Sequence, residues 1–488
     1  MKLTVKVDGS TKEIEFSEKE NLLKLLHSNG IYINAYCSGR GICKKCIVKF
    51  TKNAPKTLKL EEETFGKKTE EGYRLACLHS LNNDAEIEVS LAKPVFAEFD
   101  AEVCSDDEKT HVAIDIGTTT IAVAVIKNRK LFKTAHILNP QVAFGADVIS
   151  RIAYSNEGNL KVLAESLKKA LKETISSLCA NKIESIVVSA NPTMLTFLLE
   201  KDPKPIGEYP YTPPFKGSFE GELFSSKLYI PPVVSAFVGA DITAALSILP
   251  EDKDYLFIDI GTNCEFILKK DNSYFASSVP AGPALEGANI DYGTIAQDGA
   301  IYKVEFKDTF KVYTINDKPA IGITGSGLIS SIALLREFEI IDNEGRLLEA
   351  WETEAPFSLI NRIKKEGFLL DKNIYLTQNS IRNFQLVKAS LNAALKIILK
   401  KTDLKIPKRI YIAGGFSKSL AKEEILKSSL LSFDGEFVML GNSSLAGSLR
   451  LFCKMNREKV ERISQKIEYL EIANESEFEK LYIESMGF

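Results

Sequence analysis

The chain has 488 residues, of which 45% are hydrophobic, so it can form about three domains of ordinary size. The formal net charge is −3, and no basic stripe interleaved with aromatic residues is present, which disfavours a nucleic-acid partner. The first residues alternate as a strand does and lack the apolar core of a signal peptide. No apolar run approaches the roughly 18 residues of a membrane span, so we expect no membrane partner and a soluble, cytoplasmic protein.

The chain begins with a pattern typical of two strands and a helix. Apolar residues alternate over residues 3–16 around an Asp8-Gly9 turn, which predicts a β-hairpin. Apolar spacing then predicts a helix from about Ser17 to Ser28, with Gly30 as its stop signal.

Four of the eight cysteines lie near this start. Eight are too few for a disulfide framework, and a cysteine cluster in a cytoplasmic protein more often holds a metal than a disulfide. Four thiolates complete the tetrahedral sulfur coordination of two irons. Cys37, Cys43 and Cys46 share one glycine-containing loop whose backbone can approach the cluster, and Cys77 closes the site from a later segment. We therefore predict a [2Fe–2S] cluster bound by these four residues.

A zinc knuckle is the alternative for the same thiols. Zinc sites usually combine two C-x₂₋₄-C pairs, whereas Cys77 has no second partner nearby in the sequence. The three-plus-one spacing resembles ferredoxins of the plant and adrenodoxin types, and the first gap of five residues is closer to the adrenodoxin branch. This resemblance implies a β-grasp ferredoxin domain over residues 1–93. We expect the remaining cysteines to be buried or free thiols: Cys104, Cys179, Cys264 and Cys453.

After a polar linker at residues 94–109, one five-residue motif occurs twice. Ile114-Asp-Ile-Gly-Thr118 recurs unchanged as Ile258-Asp-Ile-Gly-Thr262. Each copy ends one apolar strand and precedes another, which predicts a hairpin whose turn donates N–H and hydroxyl groups to a phosphate. The adjacent carboxylates, Asp115 and Asp259, can hold Mg²⁺, often through water. Two copies in one chain indicate two homologous lobes that face each other across a cleft.

The repeat resembles the superfamily of actin, sugar kinases and heat-shock-70 ATPases. Residues 239–246 and 441–447 resemble its two connecting helices, and its adenosine motif is matched by Gly414, Gly415 and Phe416. Another glycine-rich turn opens a helix and suits a phosphate or nucleotide, with a plain helix cap as the alternative; it consists of Gly325, Ser326 and Gly327.

This resemblance implies a two-lobed actin-like (RNase H-like) ATPase domain over residues 110–488. Lobe one is expected at about 110–250 and lobe two at about 251–450. The last segment, 451–488, is expected to be a mixed-charge helix with a solvated face.

The same resemblance implies that ATP binds between the lobes. Its phosphates would be held by Gly117, Thr118, Thr119 and Thr120 on one side and by Gly261, Thr262 and Asn263 on the other. Asp115 and Asp259 would organise Mg²⁺ and the attacking water. Asp241, in the first connecting helix, is the candidate for orienting that water, with a helix N-cap as the alternative.

A ferredoxin joined to an ATPase indicates that nucleotide chemistry drives an electron to an acceptor that it would otherwise reach poorly. Nearly the full length resembles the reductive activators of corrinoid proteins, including residues 139–152, 281–287 and 374–382, which have no general ATPase role. The resemblance implies that ATP and the cluster return a Co(II) corrinoid to Co(I). It also implies a corrinoid-binding protein as partner and a low-potential reductant as donor. Some relatives form homodimers, so dimerisation is open.

Two features depart from the family pattern. A small domain that usually precedes the first phosphate loop is replaced here by about 16 residues, and Cys264 stands where the second loop generally has glycine. We interpret Cys264 as a bystander. The alternative functions are electron donation to another low-potential iron–sulfur enzyme and a plain electron carrier with a degenerate ATPase-like scaffold. A chaperone or filament-forming ATPase is disfavoured by the fused ferredoxin.

Overall fold

The computed structural model describes residues 1–7, 9–33, 35, 39–91, 94–95, 99, 102–145, 147–472 and 474–488. A small N-terminal domain is followed by two larger lobes, each built around a six-stranded sheet. Within these ranges, no helix is both long enough and apolar enough to cross a membrane.

The N-terminal domain is a five-stranded mixed sheet crossed by one helix. Its elements are β1 (Lys2–Val7), β2 (Ser10–Glu15), β3 (Glu20–Asn21), α1 (Leu22–Ser28), β4 (Ile47–Lys52), α2 (Lys59–Phe65), β5 (Tyr73–Leu75), β6 (Ser80–Leu81) and β7 (Ala85–Val89). The sheet order is β2-β1-β7-β4-β5, with β1 and β7 parallel, and β3 pairs with β6. This is the predicted β-grasp arrangement.

The predicted hairpin forms in this domain, but the first helix is shorter than predicted. Leu3 pairs with Ile14 across β1 and β2, while Asp8 of the turn lies outside the described residues. The helix starts at Leu22 and not at Ser17, because Asn21 is its N-cap and accepts a hydrogen bond from the Lys24 amide at 3.2 Å.

Lobe one contains a six-stranded sheet of order β10-β9-β8-β11-β13-β12. Its elements are β8 (His111–Ile116), β9 (Thr120–Lys127), β10 (Lys130–Leu138), α3 (Val148–Tyr154), α4 (Leu160–Leu178), β11 (Ser185–Ala190), α5 (Pro192–Leu198), α6 (Lys204–Gly207), β12 (Gly217–Leu223), β13 (Ser226–Val233) and α7 (Ala240–Leu246). β8, β9 and β11 are apolar along most of their length because helices cover both faces of the sheet.

Lobe two contains a second six-stranded sheet, of order β24-β23-β14-β15-β16-β25. Its principal elements, with smaller hairpins, are β14 (Tyr255–Ile260), β15 (Asn263–Lys270), β16 (Ser273–Pro280), β17 (Ala300–Phe306), β18 (Phe310–Thr314), β19 (Gly322–Ile323), α8 (Gly325–Glu337), α9 (Phe357–Ile360), β20 (Ile363–Lys364), β21 (Gly367–Asp371), β22 (Ile374–Leu376), α10 (Gln378–Thr402), β23 (Arg409–Ala413), α11 (Lys422–Lys427), β24 (Glu436–Gly441), α12 (Ser443–Arg450), α13 (Lys454–Ser464), β25 (Ile467–Tyr469) and α14 (Phe478–Glu484). α8 and α10 cover one face of this sheet.

Two helices cross between the lobes. α7 packs on the sheet of lobe two through Ile242 and Leu246, whereas α12 packs on the sheet of lobe one through Leu445 and Leu449. A Cβ added to Gly447 would lie 2.0 Å from the Ala244 carbonyl oxygen, so only glycine permits this close approach. The crossing places the first turns of both helices at the cleft.

The prediction of one solvated C-terminal helix is wrong. The segment forms α13, β25 and α14, and β25 extends the sheet of lobe two by pairing with β16. Val460 and Ile472 are fully buried, and Lys388 donates to the Ser485 carbonyl at 2.9 Å. Charged residues are frequent in this segment, but Val460 packs into the core of lobe one and Ile472 packs into the core of lobe two.

Cys104 and Cys453 form a disulfide, so the prediction that they are buried or free thiols is wrong for this pair. Their separation of 349 residues conceals the pair in the sequence. Residues 102–109, which precede lobe one, run beside the end of α12, where the Cys104 amide donates to the Leu449 carbonyl at 3.1 Å. This contact brings the two Cα atoms to 5.6 Å, a separation that a disulfide spans.

The ferredoxin domain contacts both lobes. His27 and Tyr32 pack their rings against Phe144 of lobe one, with ring centroids 5.9 and 6.3 Å apart. Lys45, in the cysteine loop, donates to the Gly293 carbonyl of lobe two at 3.0 Å. The domain therefore bridges the two lobes.

Candidate functional site

The cysteine loop and Cys77 meet at the end of the β4–β5 ladder. Ile47 pairs with Leu75, so Cys46 and Cys77, which flank this pair, are brought together. The Cys77 amide lies 3.5 Å from Cys46 Sγ, and the Cys46 carbonyl accepts from the Ala76 amide at 2.8 Å. Cys43 lies near enough to interact electrostatically with Cys46. Cys37 lies outside the described residues.

The local chemistry of these thiols suits an iron–sulfur cluster. A hydrogen bond from Cys46 lowers the pKa of Cys77 to about 7, which favours the thiolate that irons require. The same hydrogen bond, together with burial, raises the pKa of Cys46. Gly41 adopts a φ of +75°, and a Cβ there would lie 2.9 Å from Leu78, so the loop backbone runs directly over the Cys77 turn. Among the described side chains, no three His, Cys, Asp or Glu groups converge on a single metal ion.

A buried carboxylate that sequence reasoning missed supports the Cys77 turn. Glu61 has no exposed surface, and its carboxylate accepts from the Leu75 amide at 2.7 Å and contacts His79 Nε2 at 2.8 Å. Asn21 donates to the Cys77 carbonyl at 3.0 Å. The available signal was the third position of α2, where an acidic residue caps a helix.

The two repeated motifs form matching hairpins on opposite sides of the cleft. β8 pairs antiparallel with β9, and β14 pairs antiparallel with β15. The Gly117 amide donates to the Thr120 carbonyl at 2.9 Å, and the Gly261 amide donates to the Asn263 carbonyl at 3.0 Å. The hydroxyl of Thr262 is buried without a hydrogen-bond partner. An unpaired buried donor in the second loop fits an anionic ligand such as a phosphate group.

Arg151 holds the first loop from beneath, and sequence reasoning did not assign it this role. It is fully buried and donates to the Thr118 carbonyl at 2.6 Å and to the Gly145 carbonyl at 2.9 Å. Burial lowers its pKa to about 9. Asn139 adds a hydrogen bond to the Gly117 carbonyl at 2.8 Å. Both residues belong to the 139–152 segment that carried the family resemblance.

The cleft gathers the three predicted aspartates and adds a glutamate. Withdrawal from water raises the pKa of Asp259 to about 8 and that of Asp241 to about 7, and in each case a neighbouring carboxylate adds to the shift. Burial also raises the pKa of Asp115, although Asn442 and Ser444 donate to it at 2.8 and 2.7 Å. These carboxylates therefore lie close enough to influence one another's protonation, and a role of Asp115 and Asp259 in holding Mg²⁺ stays a prediction.

The fourth carboxylate of this group is Glu265 on β15. Burial and the neighbouring aspartates raise its pKa well above the ordinary value, and it accepts from the Ser278 hydroxyl at 3.0 Å. Asp241 is not the N-cap of α7, since Gly239 occupies that position and Asp241 lies in the first turn. Cys264 is fully buried within β15, and its interpretation as a bystander stays a prediction.

The remaining predicted nucleotide residues lie at two sheet ends. Gly414, Gly415 and Phe416 follow β23, and the Gly414 amide donates to the Gly441 carbonyl at 3.2 Å. Gly325, Ser326 and Gly327 are buried in the first turn of α8, where Thr324 caps the Gly327 amide. The contacts of this second turn are those of a helix cap, and a nucleotide role for it stays a prediction.

Comparison with known families matches every part of this architecture. The 2Fe-2S iron-sulfur cluster binding domain matches residues 5–81, the RACo middle region matches residues 110–250, and the C-terminal domain of RACo, described as the ASKHA domain, matches residues 253–488. These matches confirm the predicted ferredoxin and actin-like folds.

Individual relatives extend over most of the chain. The corrinoid activation enzyme RamQ of Eubacterium limosum is 30% identical over 417 residues, which span 77% of this chain and 70% of the relative. The [Co(II) methylated amine-specific corrinoid protein] reductase of Methanosarcina barkeri is 21% identical over 435 residues, or 77% and 76% of the two chains. A solved structure titled reductive activator for corrinoid,iron-sulfur protein superposes with a TM-score of 0.68 at 26% identity, over 99% of this chain and 98% of that one. The chain belongs to the family of reductive activators of corrinoid proteins.

Proposed function

We propose that this protein uses ATP to pass one electron to the Co(II) of a corrinoid protein and so regenerates Co(I). The observation that carries the proposal is the union, in one chain, of a thiol set for a [2Fe–2S] cluster and a cleft with two phosphate loops. The names of the relatives, a corrinoid activation enzyme and a Co(II) corrinoid protein reductase, support this choice of acceptor.

The ferredoxin domain is the proposed electron port. Cys37, Cys43, Cys46 and Cys77 would hold the cluster. When bound, it supplies a one-electron carrier with a potential near about −400 mV in plant-type ferredoxins. An acceptor a few hundred millivolts lower would stay almost unreduced, because every ~59 mV of deficit lowers a one-electron equilibrium about tenfold. ATP is therefore the proposed source of the missing driving force.

The cleft is the proposed site of ATP hydrolysis. The backbone amides and hydroxyls of residues 117–120 and 261–263 would bind the phosphates, and Gly414 to Phe416 would lie against the adenosine. Asp115 and Asp259 would organise Mg²⁺, which neutralises phosphate charge, and they would help to place the attacking water. Asp241 lies beside them and stays the candidate for orienting that water. Phosphoryl transfer needs mainly such positioning and charge neutralisation, so no side-chain nucleophile is required.

Closure of the lobes around ATP is the proposed conformational change that couples nucleotide binding to electron transfer. The partner protein must bind the two nucleotide states with different affinity, because otherwise hydrolysis could not favour its reduction. If the closed state binds the corrinoid protein in a different way, this binding could displace a cobalt ligand and raise the reduction potential of the cobalt. A low-potential reductant would return an electron to the cluster of the ferredoxin domain after each transfer.

Stimulation of ATP turnover by the partner tests this proposal. We expect a corrinoid protein in the Co(II) state to accelerate phosphate release, whereas the same protein without corrinoid should not. An identical rate of phosphate release with the Co(II) protein, with the corrinoid-free protein and with no partner, together with Co(I) formed equally well without ATP, would reduce the protein to an electron carrier. ATP turnover without Co(I) formation would redirect the search to other low-potential iron–sulfur acceptors.

A further inference from the structure

Glu286 spans the two phosphate loops. It lies at the end of the short turn Pro283–Glu286 that follows β16. One carboxylate oxygen accepts a hydrogen bond from the Thr119 hydroxyl of the first loop, and the other accepts from the Thr262 amide of the second loop at 3.0 Å. A single side chain therefore occupies one donor on each side of the cleft.

These donors are the ones that the proposed phosphates require. Carboxylate and phosphate oxygens are both anionic acceptors, so they compete for the same amides and hydroxyls. The two anions also repel each other when they share a partly dry site. The Thr262 hydroxyl has no hydrogen-bond partner, so it is a further donor available to a phosphate in the second loop. The carboxylate thus fills the position that a phosphate group would take.

Residues 287–294, which follow Glu286, connect it through packed contacts to the cysteine loop. Gly287 has a φ of +80°, and a Cβ there would lie 2.2 Å from the Thr294 carbonyl oxygen. In the same way, a Cβ on Gly293 would lie 2.2 Å from the Gly287 carbonyl oxygen. Backbone packs on backbone with no side chain between, so residue 287 cannot turn without moving residues 293 and 294. The carbonyl of Gly293 is the acceptor for Lys45.

We propose that Glu286 is a positioning residue that the phosphates of ATP displace, and that its displacement releases the Lys45 contact holding the cysteine loop on lobe two. The inference rests on the proposed function and adds its internal linkage. With the cleft empty, Glu286 joins the phosphate loops and the ferredoxin domain is held against lobe two. With ATP bound, the carboxylate leaves, the 287–294 segment shifts, and the loop that carries Cys43 and Cys46 is freed to face the corrinoid protein.

Nucleotide affinity of Glu286→Gln tests the first half of this linkage. Glutamine keeps the size and an acceptor oxygen but removes the competing charge, so a non-hydrolysable ATP analogue with Mg²⁺ should bind about tenfold tighter by calorimetry. The matched control, Glu366→Gln, changes an exposed glutamate and should bind as the wild type does. Equal or weaker binding by Glu286→Gln, with turnover lost, would overturn the inference and make Glu286 a water-orienting residue. Absence of binding by the wild type would overturn the proposed function as well, so the two failures are distinguishable.

Hydrogen exchange on the full-length protein with its cluster tests the second half. The analogue should speed amide exchange in residues 39–46 several-fold in the wild type. In Lys45→Met, the amides of residues 39–46 should exchange fast without nucleotide, and the analogue should not speed them further. In Lys44→Met, which alters an exposed neighbour, the analogue should speed exchange as it does in the wild type. Exchange in residues 39–46 that ignores nucleotide in the wild type, or a full response in Lys45→Met, would overturn the linkage.

Discussion

Asp115 and Asp259 end two equivalent strands, and the lobes bring them into one cleft with Asp241. If they organise Mg²⁺ and water, Asp115→Asn should lower ATP turnover about 10- to 100-fold, because it removes a charge that holds the ion. The visible spectrum of the cluster should not change. Turnover is measured as phosphate release, with the exposed Asp308→Asn as control. Undiminished turnover would remove Asp115 from the proposed machinery.

The cysteine loop allows the two activities to be separated. Cys43→Ser should bleach the iron–sulfur absorption and stop Co(I) formation, because a serine hydroxyl is a poor substitute for a thiolate ligand. ATP turnover without the partner should persist, since the cleft lies in other domains. Cys179→Ser, in a buried thiol of lobe one, should keep the absorption. A cluster that survives Cys43→Ser unchanged would contradict the assigned ligand set.

Among individual residues, the sequence allowed prediction of those whose chemistry is contained in a short motif. The repeated Asp-x-Gly-Thr motifs and the cysteine spacing belong to this class. Arg151, Lys45 and Glu286 could not be assigned, because each acts through a partner that is distant in the chain. Glu286, for example, meets Thr119 from 167 residues away.

At the level of elements, the lobes are joined by the close crossing of α7 and α12. Gly447→Ala would place a methyl group 2.0 Å from the Ala244 carbonyl oxygen, so the helices must separate. We expect a loss of about 1–3 kcal/mol in the free energy of unfolding, as overpacking commonly causes, measured by urea titration. Gly207→Ala meets only the Ile152 side chain at 3.2 Å and should cost less. Equal losses in the two variants would mean that the crossing tolerates expansion.

The packing of α1 on lobe one should depend on pH through His27. Burial lowers its pKa from 6.5 to about 4, so the unfolded state takes up a proton first as the pH falls. Stability is therefore lost progressively from about pH 6.5 towards pH 4, by about 2 kcal/mol at pH 5 relative to pH 7.5. His27→Phe should keep the ring packing on Phe144 and lose this share of the pH dependence. The free energy of unfolding is measured by denaturant titration of the wild type and the variant at pH 5 and pH 7.5. An equal loss of stability in the two proteins would refute the role of His27 in the pH dependence.

Elements with strong local patterns were predictable, and short ones were not. The hairpin that carries each phosphate loop at its turn follows from the two apolar runs that flank the motif. By contrast, β25 has only three residues in a charged segment, and pairing with β16 determines it. The start of α1 was misplaced because the capping Asn21 does not interrupt the apolar pattern.

The whole molecule is held together by contacts that join distant parts of the chain. The ferredoxin domain rests on both lobes. In the predicted linker at residues 94–109, the Val95 amide donates to the Ala296 carbonyl at 2.8 Å, and Cys104 is bonded to Cys453. The sequence could not predict these two contacts, because both partners lie far along the chain. The fold class was predictable from the cysteine spacing and the repeated Asp-x-Gly-Thr motifs. The packing of one domain against another depends on surfaces that no motif encodes.

Formation of Co(I) is the most direct measure of the central claim. Reduced protein is mixed anaerobically with a Co(II) corrinoid protein, and the Co(I) absorption band is followed with ATP, with a non-hydrolysable analogue and without nucleotide. We predict rapid and extensive Co(I) formation with ATP and almost none in its absence. Equal formation of Co(I) in all three mixtures would contradict the coupling of nucleotide to electron transfer.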